Sequence, residues 1–196
     1  MEKKSHLGKA GQLAAMAELL LRGYNVAIPE VDVGDDIFVV DDRIGDLSRI
    51  QVKTARTRRG ASYGRVSAQF KLSRHQLENA RPVDLTYVFV LRRFGIWSFY
   101  VVSRAALNEM RAVFEASRAA RGIARARPGG DAVQLRLTVS AEDVLGWGAS
   151  FRRYLNDWSS WPELRDGPGA TVPAADRSRS PGTGHLFRRS RGARAR

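Results

Sequence analysis

The sequence predicts an α/β fold, with a central mixed β-sheet, the first helix packed on one face and later helices on the other. Three observations lead there. An N-terminal segment places small and apolar residues at helical spacing. The run Arg49-Ile50-Gln51-Val52-Lys53-Thr54 alternates with the period of a strand. The strongly apolar segment Leu85–Leu91 and the run Trp97–Val102 are followed by helical patterning over about 104–121.

Taken in order, a first helix is expected from about Leu7 to Arg22, with Leu7, Ala10, Leu13, Ala14, Ala17, Leu20 and Leu21 on one stripe. Gly23 stops it as a C-terminal cap. Tyr24–Ile28 reads as a strand ended by Pro29, and Asp32-Val33-Gly34-Asp35 as a turn. Strands follow at about 36–41 and 48–55, joined by a polar connection over 41–46. Arg56-Thr57-Arg58-Arg59-Gly60 reads as a basic loop, then a short strand near 65–70. Ser73-Arg74-His75-Gln76 has capping-box spacing and opens a short helix to about Ala80. Arg92-Arg93-Phe94-Gly95 turns between the two apolar strands. Val133–Val139 alternates as another strand, and Ser140-Ala141-Glu142-Asp143 opens a last helical stretch toward Trp158 and Trp161. Residues 122–131 read as a loop. Residues 165–196 are rich in Pro, Gly, Ser, Arg and Ala, too poor in large apolar groups to offset ordering entropy; they are expected to be a disordered tail behind a domain spanning 1–164.

The chain has 196 residues and a formal net charge of +13. The segment 165–196 holds eight Arg against two Asp, and the rest holds 25 Lys and Arg against 18 Asp and Glu, so the body is basic without its tail. Such a surplus favours a polyanionic partner. Cysteine is absent, which excludes disulfides and thiolate metal sites and agrees with a reducing cytoplasm. No apolar stretch approaches the roughly 20 residues of a membrane span. His6, His75 and His185 are too scattered for a zinc set, and Gly8-Lys9-Ala10-Gly11 lacks the spacing of a phosphate loop. Trp147, Trp158 and Trp161 read as packing residues.

The chemistry concentrates in two runs. Asp36 directly precedes Ile37-Phe38-Val39-Val40, and alternation puts Gln51 and Lys53 on one face of the following strand. Neighbouring strands would set an acid, an amide oxygen and an ammonium group on one side of a sheet. That set can hold a divalent cation and stabilise charge on a phosphate. Arg56, Arg58 and Arg59 just beyond, with Lys9 and Lys71, are candidate contacts to nucleic-acid phosphates.

Gly8-Lys9-Ala10-Gly11-Gln12, Arg22-Gly23-Tyr24-Asn25-Val26, Asp32-Val33-Gly34-Asp35-Asp36-Ile37 and Gln51-Val52-Lys53-Thr54 together resemble the PD-(D/E)xK nuclease superfamily. The likeness is to its small prokaryotic branch with Holliday-junction-resolvase-like and homing-endonuclease-like relatives. It covers 8–55 well and about 65–103 more loosely. It implies a restriction-endonuclease-like core and metal-dependent DNA hydrolysis. Asp36 matches the motif's first Asp, with Asp35 a weaker candidate, and Lys53 matches the motif lysine. Gln51 takes the place of the usual acid, and Val52 would offer its backbone carbonyl to Mg²⁺ or Mn²⁺. Gln12 stands where relatives often carry an acid on the first helix. Both departures remove a negative ligand.

Three functions stay open on these residues. One is a metal-dependent endonuclease acting on DNA, with RNA not excluded. Another is a nucleic-acid-binding module on the same core with metal binding weakened, as Gln12 and Gln51 would favour. The last is a protein-interaction subunit of a defence or mobile-element system. Relatives with this core often cut two strands by dimerising, which leaves a homodimer open, although no heptad or large exposed apolar stripe here identifies an interface.

Overall fold

The computed structural model describes residues 4–31, 34–59, 65–123 and 131–161. They lie within the first of two compact units, Met1–Leu164. The expected disordered tail at 165–196 lies outside the described residues, as do most of the 122–131 loop and Gly60.

The N-terminal helix α1 (Lys4–Leu21) is followed by β1 (Asn25–Ala27), β2 (Ile37–Asp41) and β3 (Asp46–Arg56). Next come β4 (Arg58–Arg59), β5 (Val66–Ser73), α2 (Arg74–Glu78), β6 (Leu85–Arg93) and β7 (Ile96–Ser103). The chain continues through α3 (Arg104–Ala120), β8 (Ala132–Val139), β9 (Val144–Gly146), β10 (Ala149–Ser150) and a 3₁₀ turn at Arg152–Tyr154.

The central sheet has the order β1-β2-β3-β6-β7. It is mixed, because β3 and β6 run parallel while every other neighbour is antiparallel. One face packs α1: Ala15 and Leu19 meet Ile37, Val39, Ile50, Val52, Val88 and Val90, joined by Trp158 and Trp161. The other face, with Tyr87, Phe89 and Leu91, packs α2, α3 and a second sheet. That second sheet, β10-β9-β8-β5-β4, is wholly antiparallel. Strand-like patterning marked β5 and β8 in the sequence, but nothing local specified that they pair with each other rather than join the first sheet.

Helix α1 ends as expected. Gly23 takes φ +87°, its N–H donates to the Leu20 carbonyl at 2.9 Å, and the Tyr24 N–H donates to the Leu19 carbonyl. Its buried stripe differs from the expected one. Leu7, Gly11, Ala15 and Leu19 are buried, whereas Leu13, Leu20 and Leu21 are 50%, 54% and 78% exposed. The helix is apolar over much of its circumference, so counting apolar positions does not fix its rotation. The small residues do, because they permit close approach to β3. A Cβ on Gly11 would stand 2.7 Å from Thr54 Cγ2 and closer still to its hydroxyl. Gly11→Ala should therefore cost at least about 1–3 kcal/mol, the usual range for overpacking, and thermal denaturation measures it.

Ser73 caps α2 with its hydroxyl, accepting from the Gln76 N–H at 3.3 Å, and the helix closes two residues before the expected Ala80. In α3, buried Arg111 ties Glu115 at 2.7 Å and Glu78 of α2 at 2.9 Å. The Arg111 guanidinium holds the Glu78 carboxyl below the usual carboxylate range.

Two further expectations are corrected. Arg58 and Arg59 form β4 rather than a loop, paired with Ser67 and Val66. The helix expected from Ser140 is a turn and a hairpin. Ser140 and Asp143 bond each other, the Asp143 N–H donating to Ser140 Oγ at 3.1 Å and the Ser140 N–H to the Asp143 carbonyl at 2.9 Å. This side-chain alternative competes with helix formation. The β9–β10 connection is Trp147-Gly148, both at positive φ (50° and 78°), the requirement of a type I′ turn. Phe94-Gly95 between β6 and β7 shows the same signature (50° and 83°). Trp147 donates its Nε1–H to the Gln134 carbonyl at 2.9 Å, and Trp158 and Trp161 are buried, so all three pack as expected.

Candidate active site

Asp36 lies at the entrance to β2. Its N–H donates to the Ile50 carbonyl at 2.8 Å, which sets residue 36 in sheet register one step beyond the Ile37–Ile50 pair. Gln51 is therefore its cross-strand neighbour. Ile50 and Val52 face α1, so alternation turns Gln51 and Lys53 to the opposite face. The Asp36 carboxylate reaches that face. Its Oδ2 accepts from the Val52 N–H at 2.7 Å and from the Gln51 side-chain amide. Gln51 is only 4% exposed, so its amide is held by the fold rather than by solvent.

Gln12 approaches from α1, its amide N–H donating to the Asp36 carbonyl at 2.5 Å. Lys9, one turn earlier, donates to Gln12 Oε1 at 3.0 Å. Lys9, Gln12, Asp36, Gln51 and Val52 thus form one linked set. Lys53 is half-buried on the Gln51 face. Arg56 is exposed at the end of β3, and Arg58 is exposed in β4 of the second sheet. The side chain of Arg59 lies outside the described residues. Lys71 is not brought beside Asp36. It stands on the outer face of the second sheet, since Phe70 and Leu72 on either side point into the core.

Asp35 has a different role from Asp36. It is 4% exposed and takes both prongs of the Arg49 guanidinium at 2.8 and 2.7 Å. Arg49 also donates to the Val83 carbonyl at 2.9 Å. Gly34, at φ +87°, lets the chain turn here. A Cβ on it would collide with the Gln76 side-chain amide, which donates to the Gly34 carbonyl. Arg49, His75, Gln76, Asn79, Arg81 and Arg104 line a cleft beside this corner. Sequence reading missed Arg49. Its signal was present: it shares the parity of Gln51 and Lys53 and faces a strand headed by two adjacent acids.

Tyr87 is the register partner of Gln51 on β6. Its hydroxyl is buried with no hydrogen-bond partner, and burial pushes its pKa up to about 12. A buried hydroxyl without a partner costs about 1–3 kcal/mol, so Tyr87→Phe should raise stability. A tyrosine raised from 10.0 to about 12 contributes stability that is present below pH 10 and lost as pH rises through 12. Denaturation midpoints across that window should fall less in the variant than in the wild type.

Among the described residues, no group of three His, Cys, Asp or Glu could hold a metal ion. The oxygen donors at the site are the Asp36 carboxylate, the Gln51 amide oxygen and the Val52 carbonyl. Hard oxygens with a single carboxylate fit a hydrated Mg²⁺ that keeps water and takes substrate phosphate oxygens, rather than a closed protein cage. No helix among the described residues is long and apolar enough to cross a membrane.

No protein-family model matches the sequence, and no curated protein matches it. Among solved structures, the chain is similar to a bacterial homing endonuclease at 20% identity and a TM-score of 0.42, over 69% of this chain and 76% of that one.

Proposed function

We propose that this chain is a metal-dependent DNA endonuclease of the PD-(D/E)xK type. The observation that carries the reading is the Asp36 carboxylate, fixed by the Val52 N–H and the Gln51 amide on the sheet face that Lys53 shares. Asp36, with the amide oxygen of Gln51 and the carbonyl of Val52, would hold Mg²⁺ or Mn²⁺. The ion supplies Lewis acidity toward phosphoryl oxygen and lowers the pKa of water. Lys53 orients or deprotonates the attacking water, or offsets charge developing on the phosphate. Lys9, Arg56, Arg58 and Arg59 bind flanking phosphates without sequence preference, and Lys71 does so from the second sheet.

Gln51 serves this arrangement in a way an acid could not. A second carboxylate against Asp36 would be repelled unless an ion lay between them, whereas the amide donates a hydrogen bond that aims Asp36 beforehand. The cost is one negative ligand, so ion affinity is lower than with two carboxylates.

A second reading, a nucleic-acid-binding module with weakened metal binding, is favoured by Gln12. Both ends of its amide are engaged, one by Lys9 and one by the Asp36 carbonyl, so it acts here as a tether between helix and sheet. Nicking of supercoiled plasmid with Mg²⁺ or Mn²⁺ separates the two readings. Wild-type protein should nick and stop on chelation, and Lys53→Ala should lose about 10²–10³-fold in rate, the scale of one lost charge-stabilising group. A wild-type protein that binds DNA but never nicks selects the module.

A further inference from the structure

The second sheet presents an outer face apart from the hydrolytic residues, of which the proposed function uses only Arg58 and Lys71, as phosphate contacts. Along β5 and β8 the burial pattern alternates strictly: Ala68, Phe70, Leu72, Val133, Leu135 and Leu137 point inward, and Gln69, Lys71, Gln134 and Arg136 are exposed. Register sets Gln69 opposite Arg136 and Lys71 opposite Gln134. On the flanks, Arg58 of β4 pairs with Ser67, and the exposed Leu145 of β9 pairs with Thr138.

The sign of the charge is the decisive feature. None of the residues of β4, β5, β8, β9 and β10 is Asp or Glu, while Arg58, Lys71 and Arg136 on the outer face are cationic. A solvated antiparallel face ordinarily sets cations across from acids, which stabilises the pairs and keeps the surface mixed. Here the cross-strand partners of the cations are amides and a hydroxyl. Such a face gains from a polyanion laid against it.

The outward side chains also differ from a mere phosphate grip. Arg is the bidentate partner of guanine O6 and N7, Gln of adenine N6 and N7, and an apolar group meets the thymine methyl. The Gln69 amide donates to Gln134 Oε1 at 3.2 Å, so the two amides are set side by side across the strands. A pair of strands fits the major groove of B-DNA, whereas the major groove of A-form RNA is too narrow for side-chain reading. The site strand β3 passes directly into this sheet through Arg56 and Arg58, which gives the face a cationic connection to Asp36 and Lys53.

We propose that the outer face of the second sheet reads duplex DNA in the major groove, with Gln69, Gln134 and Arg136 on base edges, Leu145 on methyl groups, and Arg58 and Lys71 on phosphates. It rests on the proposed function only in taking duplex DNA as the substrate, and it assigns specificity to a surface apart from the hydrolytic residues.

The test is enrichment from a randomised duplex library by full-length protein in EDTA, where hydrolysis is not required. Wild type should enrich a defined sequence. Arg136→Lys keeps the charge and loses the fork, so it should bind that sequence roughly 5- to 100-fold more weakly. Its affinity for bulk DNA should stay within about threefold, because the phosphate term is retained. Gln134→Ala and Gln69→Ala should relax the preference at other base pairs. These side chains are exposed, and unchanged thermal midpoints confirm that the variants fold. If wild type enriches no sequence, or the variants bind the enriched sequence as wild type does, the proposal is overturned. Plasmid nicking is scored separately, so a chain that selects a sequence but never cuts would refute the nuclease while leaving this face standing.

Discussion

Asp36→Asn should abolish divalent-ion-dependent nicking, with a rate at least about 10³-fold below wild type, while the protein stays folded. The magnitude exceeds that of losing one neutral stabilising donor, because Asp36 is the carboxylate on which the whole proposed ion-binding set depends. The substitution is chosen for its geometry. Asp36 accepts the Val52 N–H at 2.7 Å, and an amide oxygen still accepts there while the formal charge is gone. Asp36→Ala would instead leave the Val52 N–H and the Gln51 amide without this acceptor, adding about 1–3 kcal/mol of destabilisation to the loss of activity. Calorimetric titration with Mn²⁺ supplies a second readout, since wild type should give a binding heat that Asp36→Asn lacks. Wild-type nicking by the purified variant would remove Asp36 from the mechanism.

The second large effect is on stability and falls on the neighbouring acid. Asp35→Ala should cost about 3–5 kcal/mol, because it leaves the Arg49 guanidinium buried without its counter-ion. The pair has side-chain exposures of 10% and 2%, so water cannot take over. Against a total of about 5–15 kcal/mol for an ordinary domain, this is a large fraction. Replacing both partners, Asp35→Ala with Arg49→Met, should recover much of the loss, since the buried charge is then gone as well. Urea denaturation of the two single variants and the double one gives the coupling energy directly. An Asp35→Ala protein as stable as wild type would show that Arg49 finds other compensation at this corner.

Much of the central sheet was legible in the sequence because its signals are local. Alternation in Arg49–Thr54 gave the sidedness of Gln51 and Lys53, glycine at 23 ended the helix, and Ser73 opened α2. What was not legible depended on partners distant in sequence. The rotation of α1 is set by Gly11 meeting Thr54, and the pairing of β5 with β8 joins residues as far apart in sequence as Val66 and Val139. The missed hairpin after Ser140 is a case of a helix-start pattern used as a turn. Of the candidate residues, Asp36, Gln51, Val52, Gln12 and Lys9 are brought into one set because their strands and helix are neighbours in sequence. Lys71 is kept from them because its strand pairs into a second sheet, a pairing no local pattern announces.

The parallel pairing of β3 with β6 also governs when the site can exist during synthesis. Asp36 and Lys53 leave the ribosome early, but the strand that backs them, Leu85–Arg93, follows more than thirty residues later. Non-local parallel pairing forms slowly, after its loop-closure entropy is met. A nascent or prematurely released fragment ending before residue 85 would carry every proposed hydrolytic side chain and still lack the scaffold that aligns them. On the proposed function, competence therefore arrives only once β6 has been made, and fragments ending before residue 85 should not cleave DNA.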